Sequence, residues 1–190
     1  MVKASKPHSA EGLERVLYMC PRCQSEFNMQ TQRNRLWCAS CGNAALMNEY
    51  GLLQPVDNNS IVFETPSQWS RWQMQCYRQQ VRLPGFSYSE PAFIVKISKH
   101  GKYIKAGAGT AEINLDRFCY QGTYNGTEVS WEVKNNLSAV FAHEVKGHFD
   151  FVYNGELFAI APFNSVSVFK FVALKEAAFE QYHNTRDILN

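Results

Sequence analysis

The chain has 190 residues, 45% of them hydrophobic and 19% charged, a balance that supports a packed globular protein and excludes a disordered one. Its net charge of +2 is too small to point by itself to nucleic acid or an anionic membrane surface. No apolar run approaches the ~18 residues of a membrane-spanning helix, and the length allows one medium domain or a small module followed by a domain.

Residues 1–17 are polar and carry no periodicity until Leu13, Val16 and Leu17, and they read as a leader or linker. Lys3 and Lys6 have no hydrophobic stretch behind them, so Met1–Gly12 lacks the pattern of a signal peptide. Six cysteines without such a signal point to the reducing cytoplasm, where thiolates are held by metal rather than joined as disulfides. Cys76 and Cys119 stand alone and read as buried apolar side chains.

Residues 18–50 carry the strongest motif. Cys20 and Cys23 form one C-x-x-C pair, Cys38 and Cys41 a second, and fourteen residues, Gln24–Trp37, separate them. A spacer of that length can fold as a β-hairpin and bring both pairs to one tetrahedral centre, so a closed Cys₄ site holding structural Zn²⁺ is expected, with iron the alternative. Ser25–Gln30 and Arg35–Trp37 read as strands around a turn at Thr31–Asn34, which makes the module a zinc ribbon. Gly42 follows the second pair, where a positive φ lets backbone N–H groups point at sulfur, and Gln24 takes the matching place after the first. A thioredoxin-type redox pair would need one C-x-x-C in a βαβ setting, which is absent.

Residues 51–90 read as a connector containing a helix over 66–80. Thr65 is a candidate N-cap, Pro66 suits the first helical position, and Gln68 completes a capping box. Trp69, Trp72, Cys76 and Tyr77 share one helical face, and the two tryptophans are expected to dock on the domain that follows.

From residue 91 the period changes to two. Ala92–Ser98, Thr110–Leu115, Phe118–Tyr124, Thr127–Val133, Ser138–Ala142, His148–Tyr153 and Glu156–Ala161 read as strands, with hairpin turns at Asn125-Gly126, Asn154-Gly155 and His100-Gly101. Ser165–His183 returns to helical spacing, with Val168, Phe171, Val172, Phe179 and Tyr182 on an apolar side and Lys170, Glu176, Glu180 and Gln181 on a polar one. Seven antiparallel strands closed by one C-terminal helix follow the plan of pleckstrin-homology (PH) and GRAM-type domains. The expectation is therefore a mainly β (α+β) chain whose residues 91–187 form a bent antiparallel barrel with one end plugged.

No catalytic constellation is recognisable. His143 and His148 are five apart with Gly147 between them, whereas a zincin helix places its histidines four apart, so this stretch reads as a hairpin turn. His148 and Asp150 share a strand face and read as a solvated pair. Gly107 and Gly109 have no following helix and no P-loop lysine. His-x-x-x-x-Asp, the acid–base signature of glycerolipid acyltransferases, is missing, and Asp187 lies one position short of it after His183.

One family resemblance covers nearly the whole chain. The run Ala10–Leu17, then Cys20-Pro21-x-Cys23, Cys38-x-x-Cys41-Gly42-Asn43 and Asn48–Gly51, resembles the region that follows the catalytic domain in long bacterial 1-acylglycerol-3-phosphate acyltransferases. The Trp69/Trp72 helix, the all-β segment and the Val168–Tyr182 helix are similar to the rest of that extension. The resemblance implies a non-catalytic accessory unit of phospholipid biosynthesis. Its partner would be the acyltransferase catalytic domain or another protein, with peripheral contact at the inner membrane face as a further expectation. In that family the histidine of the missing motif is the general base, so no catalytic residue transfers here and only the four cysteines do. The alternative is a stand-alone nucleic-acid-binding adaptor that uses Arg22, Arg33, Arg35, Phe27 and Trp37 on the ribbon.

Overall fold

A computed structural model of the chain describes residues 10–97, 103–138, 141–144 and 147–187. These are mainly β, in two antiparallel sheets of four and seven strands. Two α-helices accompany them, α1 (Pro66–Gln80) and α2 (Ser167–Asp187). The chain divides into two compact units, one running through Cys76 and one from Tyr77, so the boundary falls inside α1.

In the first unit β1 (Met29–Gln32) and β2 (Arg35–Cys38) form a hairpin with Gln32 opposite Arg35. Its turn is tight because Arg33 takes a left-handed backbone, φ 54°. Pairing starts at Met29 rather than Ser25. Phe27, at φ 63°, interrupts the extended chain, and Glu26 makes only an isolated bridge with Met19. Two further strands, β3 (Ala44–Met47) and β4 (Leu53–Pro55), complete the order β1-β2-β3-β4. They do not show as period-two segments, because three or four residues are too few for alternation to register.

The core of this unit holds Leu17, Leu36, Ala45, Met47, Leu53 and Trp69 together with Cys20 and Cys38. Ala10 and Leu17 are 0% and 1% exposed, so the residues expected to be a leader are built into the packing from Ala10 onward. Glu11 accepts the Arg33 backbone N–H at 2.9 Å, and the Glu14 carboxylate accepts from the Thr31 hydroxyl, which tie this segment to the hairpin.

Helix α1 begins with the expected capping box. Thr65 Oγ1 accepts from Gln68 N at 3.2 Å while Gln68 Oε1 accepts from Thr65 N at 3.1 Å, satisfying two orphan donors of the first turn. The expectation for its tryptophans is corrected. Trp69 is fully buried in the core of the first unit, Trp72 packs against that core, and Phe63 lies 6.2 Å and 5.6 Å from the two rings. The reason is polar as well as apolar. Trp69 Nε1 donates to Met19 O at 2.9 Å, and the Gln73 amide spans the same segment, accepting from Met19 N and donating to Val16 O. Two buried hydrogen bonds and one part-buried one thus hold the chain that leads into Cys20.

In the second unit, β5 (Ser87–Ile97), β6 (Tyr103–Asn114), β7 (Arg117–Tyr124) and β8 (Thr127–Lys134) form a meander. β9 (Ala142–Glu144), β10 (His148–Tyr153) and β11 (Glu156–Pro162) form a second. Pairing of β5 with β11 joins them in the order β8-β7-β6-β5-β11-β10-β9. Asn125-Gly126 and Asn154-Gly155 both adopt left-handed pairs (φ 49° and 82°, φ 50° and 82°), the two-residue turn that matches strand twist. The turn expected at His100-Gly101 lies outside the described residues.

Two expectations for this unit are corrected. Of the strand expected at Ser138–Ala142, residues 139–140 lie outside the described residues, Ser138 and Phe141 are not in a strand, and β9 begins at Ala142 after a 3₁₀ turn at Asn135–Leu137. The sheet is also not closed into a barrel. The β5–β6 pairing shifts register between Ile94 and Val95, and the two end strands, β8 and β9, do not pair. Gly107 and Gly109 serve the close approach of β6 to β7. A Cβ at Gly107 would lie 1.8 Å from Thr123 O and one at Gly109 2.2 Å from Gln121 O, so only glycine lets β6 and β7 approach so closely. Their spacing is structural.

The core of this unit is filled by aromatic rings. Phe118 meets Phe141, Phe149, Phe151 and Phe171 edge-on, with centroids 5.1 to 6.3 Å apart. Helix α2 supplies Val168, Phe171, Leu174, Ala177 and Ala178 to this core. Its polar side is less solvated than expected. Lys170 is only 8% exposed with its ammonium 4.0 Å from the Tyr88 ring centre, and Glu180 takes a two-point pair from Arg78 at 2.6 and 2.9 Å.

Candidate metal centre

The four cysteines that the sequence singles out come together. Cys20 lies on the segment held by Trp69 and Gln73, Cys38 ends β2, and Cys23 and Cys41 follow each by three residues. Their sulfurs all lie within 4.8 Å of one another, with Cys20 to Cys41 at 3.6 Å and Cys23 to Cys38 at 3.8 Å. A tetrahedral ion bound at the ~2.3 Å of a zinc–thiolate bond needs sulfurs ~3.8 Å apart. The donor set therefore fits one four-coordinate metal, with no ligand position left over for substrate.

The backbone repeats itself around the two pairs. Gln24 and Gly42 both take left-handed φ, 57° and 75°, and each donates its N–H to the carbonyl of the first cysteine of its pair at 2.8 and 2.9 Å. That turn directs further N–H groups at sulfur. Arg22 and Cys23 donate toward Cys20, Ser40 and Cys41 toward Cys38, Ser25 toward Cys23 and Asn43 toward Cys41. Such donors spread thiolate charge and orient the ligands. The glutamine at position 24 is thus held in the same turn as the glycine at 42.

The thiols divide by environment. Burial pushes Cys20 up to about 12 and raises Cys41 as well. The Ser25 hydroxyl brings Cys23 down to about 6. Burial opposes ionisation of Cys38, yet the same hydroxyl and the N–H groups of Cys41 and Ser40 together hold it below its ordinary value. Ser25 Oγ sits 3.1 Å from Cys23 Sγ and 3.4 Å from Cys38 Sγ, one sulfur from each pair. The Ser25 hydroxyl thus eases ionisation of one thiol from each pair, while burial disfavours it at Cys20 and Cys41, where the field of a bound cation would offset that cost.

No family model matches this chain, and neither a curated protein nor a solved structure matches it. What can be said of the centre thus comes from its own geometry.

Two supporting residues escape sequence reading. Ser25 could be found only from its place two residues after Cys23. Asn43 is 1% exposed and closes a reciprocal pair with Ile61, donating Nδ2 to Ile61 O at 2.8 Å and accepting Ile61 N at 2.7 Å. It clamps the loop after β4 against the second cysteine turn, and although Asn43 stands in the motif that carries the resemblance, that motif gives no hint of its partner Ile61.

The remaining candidates are placed as follows. Phe27 stacks on Tyr18 with centroids 5.1 Å apart, and the Arg35 guanidinium lies 5.5 Å from the Trp37 ring centre, while Arg33 is exposed. Cys76 and Cys119 are half-buried rather than buried, and burial raises both thiols. His143 and His148 lie on the paired strands β9 and β10, with His143 opposite Phe149, as a hairpin requires and a metal-binding helix does not; residues 145–146 between them lie outside the described residues. His148 is not solvated as expected. It is 5% exposed and packs 4.2 Å from the Tyr103 ring. Among the described residues, no helix is long and apolar enough to cross a membrane.

Proposed function

We propose that the chain is a non-catalytic accessory region of a bacterial 1-acylglycerol-3-phosphate acyltransferase, built from a zinc ribbon, a linking helix and a PH/GRAM-like β domain. The observation that carries this reading is the Cys₄ cluster itself, set in the run Cys20-Pro21-x-Cys23 and Cys38-x-x-Cys41-Gly42-Asn43 on which the resemblance rests. Zinc is the metal, since it accepts four thiolates at the observed spacing with no preference beyond the tetrahedron. Its work is structural. With four protein sulfurs in place it has no open site for a water or carbonyl, so it contributes folding free energy and no bond-making step.

The β unit supports the same assignment through its strand succession, two antiparallel meanders followed by a C-terminal helix. The role that the resemblance implies for such a region is positioning, against the catalytic domain or at the inner face of the membrane where the lipid substrate lies. Deleting the segment corresponding to 10–187 from a parent acyltransferase tests this. Loss of membrane association or of turnover on lysophosphatidate is expected, and an enzyme that keeps both defeats the assignment. Acyl transfer by the isolated chain is expected to be nil.

A further inference from the structure

The seam left open between the two ends of the seven-stranded sheet is a cleft of about 440 Å³. Val133 of β8 lines one side, Ala142 of β9 and Val152 of β10 the other, and Lys175 of α2 lies at its inner end. Three exposed aliphatic side chains line it, with Leu137 72%, Val152 56% and Leu157 65% exposed. Leucine and valine held in water around one opening are a cost to the free protein that a ligand's apolar surface removes.

Lys175 is held without an opposite charge among its contacts in the described residues. It is 1% exposed, and its ammonium donates to the Asn135 carbonyl at 2.8 Å and lies 5.6 Å from the Phe141 ring centre. A neutral donor would serve that carbonyl equally well. A buried ammonium carries a desolvation penalty that one carbonyl does not offset, and burial alone brings this amine down to about 8. The other charged group lining the cleft, Asp150, is half-buried on β10.

We propose that this cleft binds a single-chain aliphatic carboxylate, its head group paired with the Lys175 ammonium and its chain laid along Leu137, Val152 and Leu157. The volume suits that class. At the ~30 Å³ a water occupies in the liquid, the cleft has room for roughly a dozen non-hydrogen atoms, the size of a medium-chain fatty acid. The carboxylate supplies the opposite charge that Lys175 lacks, and the chain covers the exposed rim. The inference needs nothing from the acyltransferase reading and stands or falls apart from it.

Titrating the full zinc-loaded chain with decanoate below its micellar concentration, followed by methyl NMR, tests it. Saturable shifts at Leu137, Val152 and Leu157 are expected, with decanol binding at least about tenfold more weakly because it lacks the charge. Lys175→Met is expected to erase that preference while the chain contacts persist, and Leu157→Glu on the exposed rim to weaken both ligands. Equal affinity for decanoate and decanol in the wild-type chain overturns the proposal even if Lys175→Met fails to fold. So does undiminished decanoate binding by a folded Lys175→Met variant. Capture of a peptide with a free C-terminal carboxylate and no response to decanoate also overturns it, in favour of a peptide groove.

Discussion

Two side chains set the chemistry of their surroundings from unremarkable places in the sequence. Ser25 reaches one sulfur from each C-x-x-C pair, so removing its hydroxyl withdraws a donor that favours ionisation of both Cys23 and Cys38. Ser25→Ala is expected to lower zinc affinity about 10-fold at pH 7, as such supporting hydrogen bonds commonly do. Competition against a chromophoric chelator measures it, and an unchanged affinity would show the hydroxyl to be idle. Lys175 makes the opposite kind of statement. Its amine is lowered from 10.5 to about 8, so the folded state holds its proton less tightly than the unfolded chain does. The penalty is fully present below pH 8 and disappears as pH rises toward 10.5, so stability gains with pH across that window. The shift corresponds to about 3 kcal/mol, given ~1.4 kcal/mol per unit. Thermal melts of zinc-loaded protein between pH 8 and 10.5 are expected to show this gain in the wild-type chain relative to Lys175→Met. Parallel pH profiles for the two would contradict it.

At the scale of elements, α1 shows why helical punctuation is readable. A capping box needs only four consecutive positions, so Thr65, Pro66 and Gln68 carry their meaning locally, and the observed helix starts at Pro66. Thr65→Ala is expected to destabilise the protein by about 1 kcal/mol in denaturant titration, the usual worth of a lost N-cap. The same locality made the Asn-Gly hairpins legible, since each turn requires two successive left-handed residues. What α1 packs against was not legible. A stripe of tryptophans states that a face is buried and leaves its partner open. The partner was decided by Met19 and Val16 presenting backbone groups to Trp69 and Gln73. Strands β3 and β4 were missed for a related reason. Ala44-Ala45-Leu46-Met47 has no β-branched residue, and its extended form comes from pairing with β2 beside the second cysteine turn. On α2 a signal was present and went unread. Lys175 stands four residues after Phe171 and three before Ala178, inside the apolar stripe, where a lysine is out of place unless something answers its charge.

At the scale of the molecule, the two units differ in what holds them. The first has short strands and a small core into which two of the sulfurs are packed, so its folding and its metal are expected to be coupled. The second has a seven-stranded sheet with a continuous aromatic core and no sulfur cluster among its described residues. Chelation of zinc under reducing conditions is therefore expected to abolish the protected amides of β1–β4 while those of β5–β8 persist. Hydrogen exchange read by mass spectrometry distinguishes this from a single cooperative loss, and full protection of β1–β4 in the chelated protein would remove the metal's structural role.

Taken alone, the amino-acid order determined the cluster of four cysteines, the hairpin between them, the capped helix, the all-β segment and the closing helix. Each of these is written in residues near one another along the chain, where spacing converts directly into geometry. Only the tertiary structure decided that the large sheet stays open, that Ser25 serves two sulfurs, and that an ammonium is sealed at the inner end of the seam. Those facts depend on residues far apart in sequence whose approach is set by packing, and packing leaves no periodic trace.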